Sequence, residues 1–154
     1  MSLDLCVSVN RPVFAEKLKE TAESELCNII SEPEVRATIT EWDDGKECTS
    51  LANYDLRLRD SLTVLTFEIQ GSSRVPVEVV YVTDQSGGPE FGIAVRYSAA
   101  SKLCIAALAA VAIAVADLGQ GLISDESCIW GGSQEFTTPN AFRSLVNDRH
   151  YRSN

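Results

Sequence analysis

Histidine, the side chain best suited to proton transfer near neutral pH, occurs once in this chain, as His150, four residues before the last. A serine or cysteine nucleophile needs a base beside it. A Cys–His150 dyad is therefore not expected, and histidine-based zinc sites lack raw material. The five cysteines, Cys6, Cys27, Cys48, Cys104 and Cys128, are odd in number, widely spaced and contain no CxxC pair. Such spacing serves neither a disulfide framework nor a zinc ribbon. Cys6, Cys27, Cys104 and Cys128 stand among apolar neighbours, which predicts reduced thiols acting as small buried hydrophobes.

Carboxylates leave less to read, because acid–base pairs are assembled by the fold and not by spacing. Asp43-Asp44 and Asp125-Glu126 are the adjacent pairs that could serve, and in polar loops both also read as solvated acids. A calcium loop needs alternate oxygen ligands closed by a glutamate; Asp43-Asp44-Gly45-Lys46-Glu47 is too short and carries a lysine inside it. No metal is expected. Phosphate cradles fail in the same way: there is no GxxxxGK[ST], and no GxGxxG follows a strand pattern. Ser86-Gly87-Gly88 reads as a hairpin turn, Gly119-Gln120-Gly121 as a helix stop and Gly131-Gly132-Ser133 as a loop. No cofactor is expected.

What stands out is the distribution of charge. Thirteen Lys and Arg against twenty-two Asp and Glu leave a net charge of −9, which disfavours nucleic acid and anionic lipid as partners. Between Glu16 and Glu47 ten acids (Glu16, Glu20, Glu23, Glu25, Glu32, Glu34, Glu41, Asp43, Asp44, Glu47) face four bases (Lys17, Lys19, Arg36, Lys46). Two-thirds of the net charge thus falls in this one stretch. Trp42 stands inside its densest part, Glu41-Trp42-Asp43-Asp44. An exposed aromatic ringed by carboxylates suits a basic protein partner. This gives Glu41, Trp42, Asp43, Asp44 and Glu47 as candidate partner-binding residues; the other reading has Trp42 closing a strand and packing inward. Trp130, in Ile129-Trp130-Gly131-Gly132, either packs into the core or contacts a ligand from a loop.

These residues need a scaffold, and the chain is long enough for one domain with a sizeable core. Its 45% hydrophobic and 23% charged residues are those of a globular protein. Leu3 to Val9 alternates like a half-buried strand, whereas Met1–Leu3 reads as an expression remnant ahead of a pattern that starts near Asp4. Asn10 as cap and Pro12 in the first turn open a helix over about 12–31, with Phe14, Leu18, Ala22, Leu26, Ile29 and Ile30 on its apolar face. Val35, Ala37 and Ile39 mark a strand. The runs Tyr54–Arg59, Thr63–Gln70, Val75–Thr83 and Phe91–Tyr97 read as an antiparallel meander, since turns this short hold no crossover helix. Pro76 suits a strand start or edge.

Leu103 to Ala116 runs fourteen residues without a polar side chain, half of them alanine. A membrane span needs about 20 residues. The segment instead predicts a helix near 99–118, capped by Ser98 and ended by Gly119 and Gly121, that is buried on nearly all sides. Thr138-Pro139 opens a short helix over 139–147 that docks Phe142, Leu145 and Val146; the tail from Asp148 is polar and expected to fray. The fold class is α+β: residues 1–154 as a single domain, mainly an antiparallel sheet of about five or six strands packed by two helices, plus the short C-terminal helix.

The C-terminal third, residues 98–146, orders an Ala-rich helix, Gly119-Gln120-Gly121, Leu122-Ile123-Ser124-Asp125, Trp130 and Phe136-Thr137-Thr138-Pro139. On a small acidic α+β domain this resembles bacterial immunity-type proteins that accompany polymorphic or contact-delivered toxins. The resemblance implies stoichiometric binding of a cognate, often basic, toxin without turnover, and it brings no catalytic residues. A small-molecule-binding or regulatory domain and a carboxylate-based enzyme are the alternatives. With reduced thiols and no basic segment leading into an apolar one, the expected location is the cytoplasm.

Overall fold

A computed structural model describes residues 2–41, 55–58, 63–71, 73–82, 90–96, 101–125, 130 and 137–148. Six strands form one sheet: β1 (Ser2–Ser8), β2 (Val35–Glu41), β3 (Thr63–Ile69), β4 (Ser73–Val82), β5 (Glu90–Arg96) and β6 (Ile123–Ser124). Their order is β2-β3-β4-β5-β1-β6, and every pairing is antiparallel. The helices are α1 (Ala15–Ile30), α2 (Lys102–Gly119) and α3 (Pro139–Asn147). The α+β class, the six strands, the two packing helices and the short C-terminal helix all agree with the sequence reading.

Period-two alternation places one set of side chains on the helix side of the sheet. In register across it lie Ile39, Leu65 and Val77, then Ala37, Phe67 and Val75, then Val79, Ile93 and Leu5, all buried. Against this face α2 lies over β1, β4 and β5, with α1 beside it over β2 and α3 packed against α2. Every residue from Ala106 to Ala116 is wholly buried, so the apolar run is a core helix. Alanine permits this because a short side chain lets backbones approach closely. Ala109→Leu or Ala112→Leu is expected to destabilise by about 1–3 kcal/mol through overpacking. Equal denaturation midpoints for both variants and the parent chain would refute the crowding.

Several local details depart from the sequence reading. Strand β1 reaches back to Ser2 and Leu3, which pair with Arg96 and Val95, ahead of the expected start at Asp4. Helix α1 begins at Ala15, with Phe14 at the cap position and no side-chain capping bond. Asn10 and Pro12 precede it because this segment serves a different helix: the amides of Asn10 and Arg11 donate to the Gly119 carbonyl and the Asn10 side chain donates to the Gln120 carbonyl. Phe14 is consequently partly exposed. Ser101, not Ser98, caps α2 by accepting from the Cys104 amide. Thr138 and Pro139 open α3 as expected.

The run beginning at Tyr54 is not a strand where it is described. Asp55 accepts from the Arg57 amide at 3.0 Å and from its guanidinium at 3.2 Å, and this local closure favours a 3₁₀ turn over Leu56–Leu58. Pro76 sits well inside β4, yet β4 and β5 pair only from Glu78 onward, so its missing N–H falls on a local edge. Cys6, Cys27 and Cys104 are thiols, but half-buried and not wholly buried as the sequence suggested. Cys48 and Cys128 lie outside the described residues.

The stop after α2 is built differently from the expected glycine cap. The left-handed residue is Gln120, at φ 48°, and the Gly121 amide donates back to the Ala116 carbonyl. The flanking glycines are required for space. A Cβ on Gly119 would lie 2.5 Å from the Val9 Cγ1, and one on Gly121 would lie 1.5 Å from the Ser8 carbonyl oxygen.

Candidate partner-binding margin

Strand β2 is an outer strand of the sheet, and the acid-rich part of the sequence runs through α1 into it. Two contacts fix α1 against β2. The Glu23 carboxylate accepts from the Ala37 amide at 2.9 Å, and the Cys27 thiol lies at the Val35 backbone. Burial pushes the Cys27 thiol upward, opposed by the hydrogen bond at Val35. Rising helix numbers thus match falling strand numbers. A helix advances about 1.5 Å and a strand about 3.3 Å per residue, so Glu16 comes level with about Thr40 or Glu41.

The fold therefore sets Glu16, exposed on α1, at the end of the sheet where β2 finishes with Glu41, and exposed Glu20 about one helical turn behind it, level with about Thr38. Sequence spacing alone did not single out these two; the signal was their place on the solvent face of an amphipathic helix. Glu20 meets Lys17 at 3.8 Å in an exposed pair that contributes little. The backbone of Glu41 pairs with Thr63 at the end of the β2–β3 ladder. Trp42, Asp43, Asp44 and Glu47 lie outside the described residues.

Other acids of the same stretch serve the fold. Glu23 satisfies the sheet edge, Glu32 accepts from the Gln70 side chain, and Glu25 receives Arg143 at 2.7 Å. Arg143, on α3, also donates to Asp117 at 2.8 Å and to Asn140, so one guanidinium ties α1, α2 and α3 together. Its hydrogen bond to Glu25 raises its already high pKa further.

The remaining carboxylate candidates divide. Asp125 is buried and accepts from the Trp130 amide at 2.9 Å, which ties the end of β6 to Trp130. Glu126, Asp43 and Asp44 lie outside the described residues. Trp130 itself is 2% exposed, with its ring edge-on to Phe142 at 4.9 Å, which settles its side chain as core. Among the described residues no group of three His, Cys, Asp or Glu could hold a metal ion.

Two open clefts follow β2. One of about 440 Å³ is lined by Lys19, Glu23, Arg36, Ala37, Thr38 and Glu68, and one of about 420 Å³ by Pro33, Glu34, Val35, Arg36, Glu68 and Gly71. Both are lined by charges of both signs, which suits a macromolecular surface better than the apolar enclosure of a small-molecule pocket. No family model, curated protein or solved structure matches the chain.

Proposed function

We propose that this protein acts by stoichiometric binding, as a non-catalytic acidic protein that engages a basic protein partner, in the manner of immunity-type proteins that neutralise toxins. One observation carries the reading: α1 runs against β2 so that exposed Glu16 comes level with about Thr40 or Glu41, with exposed Glu20 about one helical turn behind it, where the chain continues into its most acidic stretch. Acids separated by about twenty-five positions in sequence thereby share one margin. Such a field accelerates encounter with a cationic surface and discriminates against anionic ones. Trp42 supplies the aromatic anchor of the interface, and Asp43, Asp44 and Glu47 extend its charge. The use of Glu23, Glu25 and Asp125 within the fold speaks against a carboxylate-based reaction at those positions.

The test starts with capture of the partner from the source cell by the tagged protein, followed by association and dissociation rates over a salt series. Association is expected to slow steeply between low and physiological ionic strength, with dissociation changing less. Asp43→Lys with Asp44→Lys is expected to slow association by about tenfold or more, whereas Trp42→Ala should mainly hasten release. Unchanged kinetics in the charge-reversed protein would move the interface elsewhere.

A further inference from the structure

The Ala37 amide bonds Glu23 and therefore points away from β3. Alternation along an antiparallel strand turns the backbone groups of Val35 and Ile39 outward as well. An outward row of this kind is a template for another strand, and proteins cover or charge it to prevent stray pairing. Here α1 provides the cover. Glu23 occupies the Ala37 amide and Cys27 lies at Val35. The larger of the two clefts opens at this place, with Lys19 and Glu23 on its α1 side and Arg36, Thr38 and Glu68 on the other. The second continues it past Val35. Residues of an incoming strand would alternate between those two sides.

We propose that the outer edge of β2 is a strand-addition site, held closed by Glu23, for an extended segment of a protein partner that carries a basic side chain on the α1 side. Opening exchanges one set of bonds for another. The Ala37 amide passes from the Glu23 carboxylate to a backbone carbonyl of the segment, and the released carboxylate receives the partner's lysine or arginine. No buried polar group is left unpaired, so the exchange avoids the penalty of an orphaned donor. Main-chain bonds then give affinity, and the alternating side chains give selectivity. The basic character of the segment rests on the acidic margin proposed above; the strand addition rests on the geometry of the edge.

Two capped synthetic peptides separate these ideas. One alternates lysine and threonine. The other has the same sequence with N-methyl groups on alternate residues, which removes the amides of one edge and leaves the charge unchanged. Each is titrated into the isotope-labelled full-length protein and followed by amide resonances. The plain peptide is expected to bind and to shift the Ala37 and Ile39 amides, and the methylated one to bind about tenfold more weakly or not at all. Glu23→Gln should keep the edge covered and weaken the plain peptide several-fold. Equal binding of both peptides, with the Ala37 amide unmoved, would overturn strand addition while leaving the acidic margin intact. Failure of both peptides to bind would overturn the site itself, and the charge-reversal kinetics would then judge the margin independently.

Discussion

Gly121→Ala is expected to abolish folding, or to destabilise by more than about 4 kcal/mol, a loss seen only when something structural is broken. The added Cβ would sit 1.5 Å from the Ser8 carbonyl oxygen, a backbone atom with no rotamer to move. Ser8 cannot withdraw cheaply. Its amide donates to the Leu122 carbonyl at 3.0 Å and its hydroxyl accepts from the Leu122 amide at 3.0 Å, so the same two chains are bonded on the next residue. One residue further, β6 pairs with Val7. Relief of the clash would have to peel β6 from β1. Gly92→Ala provides the control, because a Cβ there meets only the Val80 carbonyl at 3.9 Å. Circular dichroism and thermal melting of both variants decide the matter. A folded Gly121→Ala protein melting close to the parent would mean that α2 and β1 do not approach as closely as described.

Phe142→Ala is expected to cost about 3–5 kcal/mol, the usual range for removing a buried aromatic. Phe142 is 1% exposed and, with Val146, supplies the buried face of α3. Its ring also meets Trp130 edge-on. Trp130→Ala should be similarly severe, and the double variant should lose less than the sum by about 0.5–1.5 kcal/mol. Arg143 would continue to hold α3 by its bonds to Glu25 and Asp117, but a partly exposed ion pair cannot replace the lost packing. Denaturant titration measures all three. Additive losses would show that the two rings are stabilised independently.

Much of the fold could be read from periodicity, because alternation and helical spacing report burial directly. The meander from Thr63 to Arg96 and the burial of the alanine-rich helix follow that logic. Where the reading failed, either a distant partner had taken a residue that local chemistry assigned elsewhere, or a short-range bond had overridden the pattern. Asn10 looks like the cap of the helix after it, yet it binds the end of a helix more than a hundred residues away. Gly121 looks like a left-handed cap, yet Gln120 takes that conformation and Gly121 is there for clearance from Ser8. Asp55 ended a strand that apolar Leu56 and Leu58 had suggested. The candidate margin was legible only as composition. Glu16, Glu20 and Glu41 were visible as acids, but which of them lie toward the same end of the sheet depends on the way α1 doubles back on β2, and the use of Glu23 as an edge cover has no local signal at all.

The strand order also dictates a sequence of events in time. Of these six strands β1 is synthesised first, but its neighbours in the sheet are β5 and β6, which come about eighty and more than a hundred residues later. At about 5–20 residues per second, a ribosome takes several seconds to supply them. During that interval β1 lacks its neighbours β5 and β6, while β3 and β4 can already pair across the tight turn between Ile69 and Ser73. Closing the long loop that brings β1 between β5 and β6 is the step with the greatest entropic barrier. The last strands to be made therefore admit the first. Refolding of this chain should be governed by that insertion, and variants that weaken the β1–β5 ladder should slow it more than equal losses in the β3–β4 hairpin.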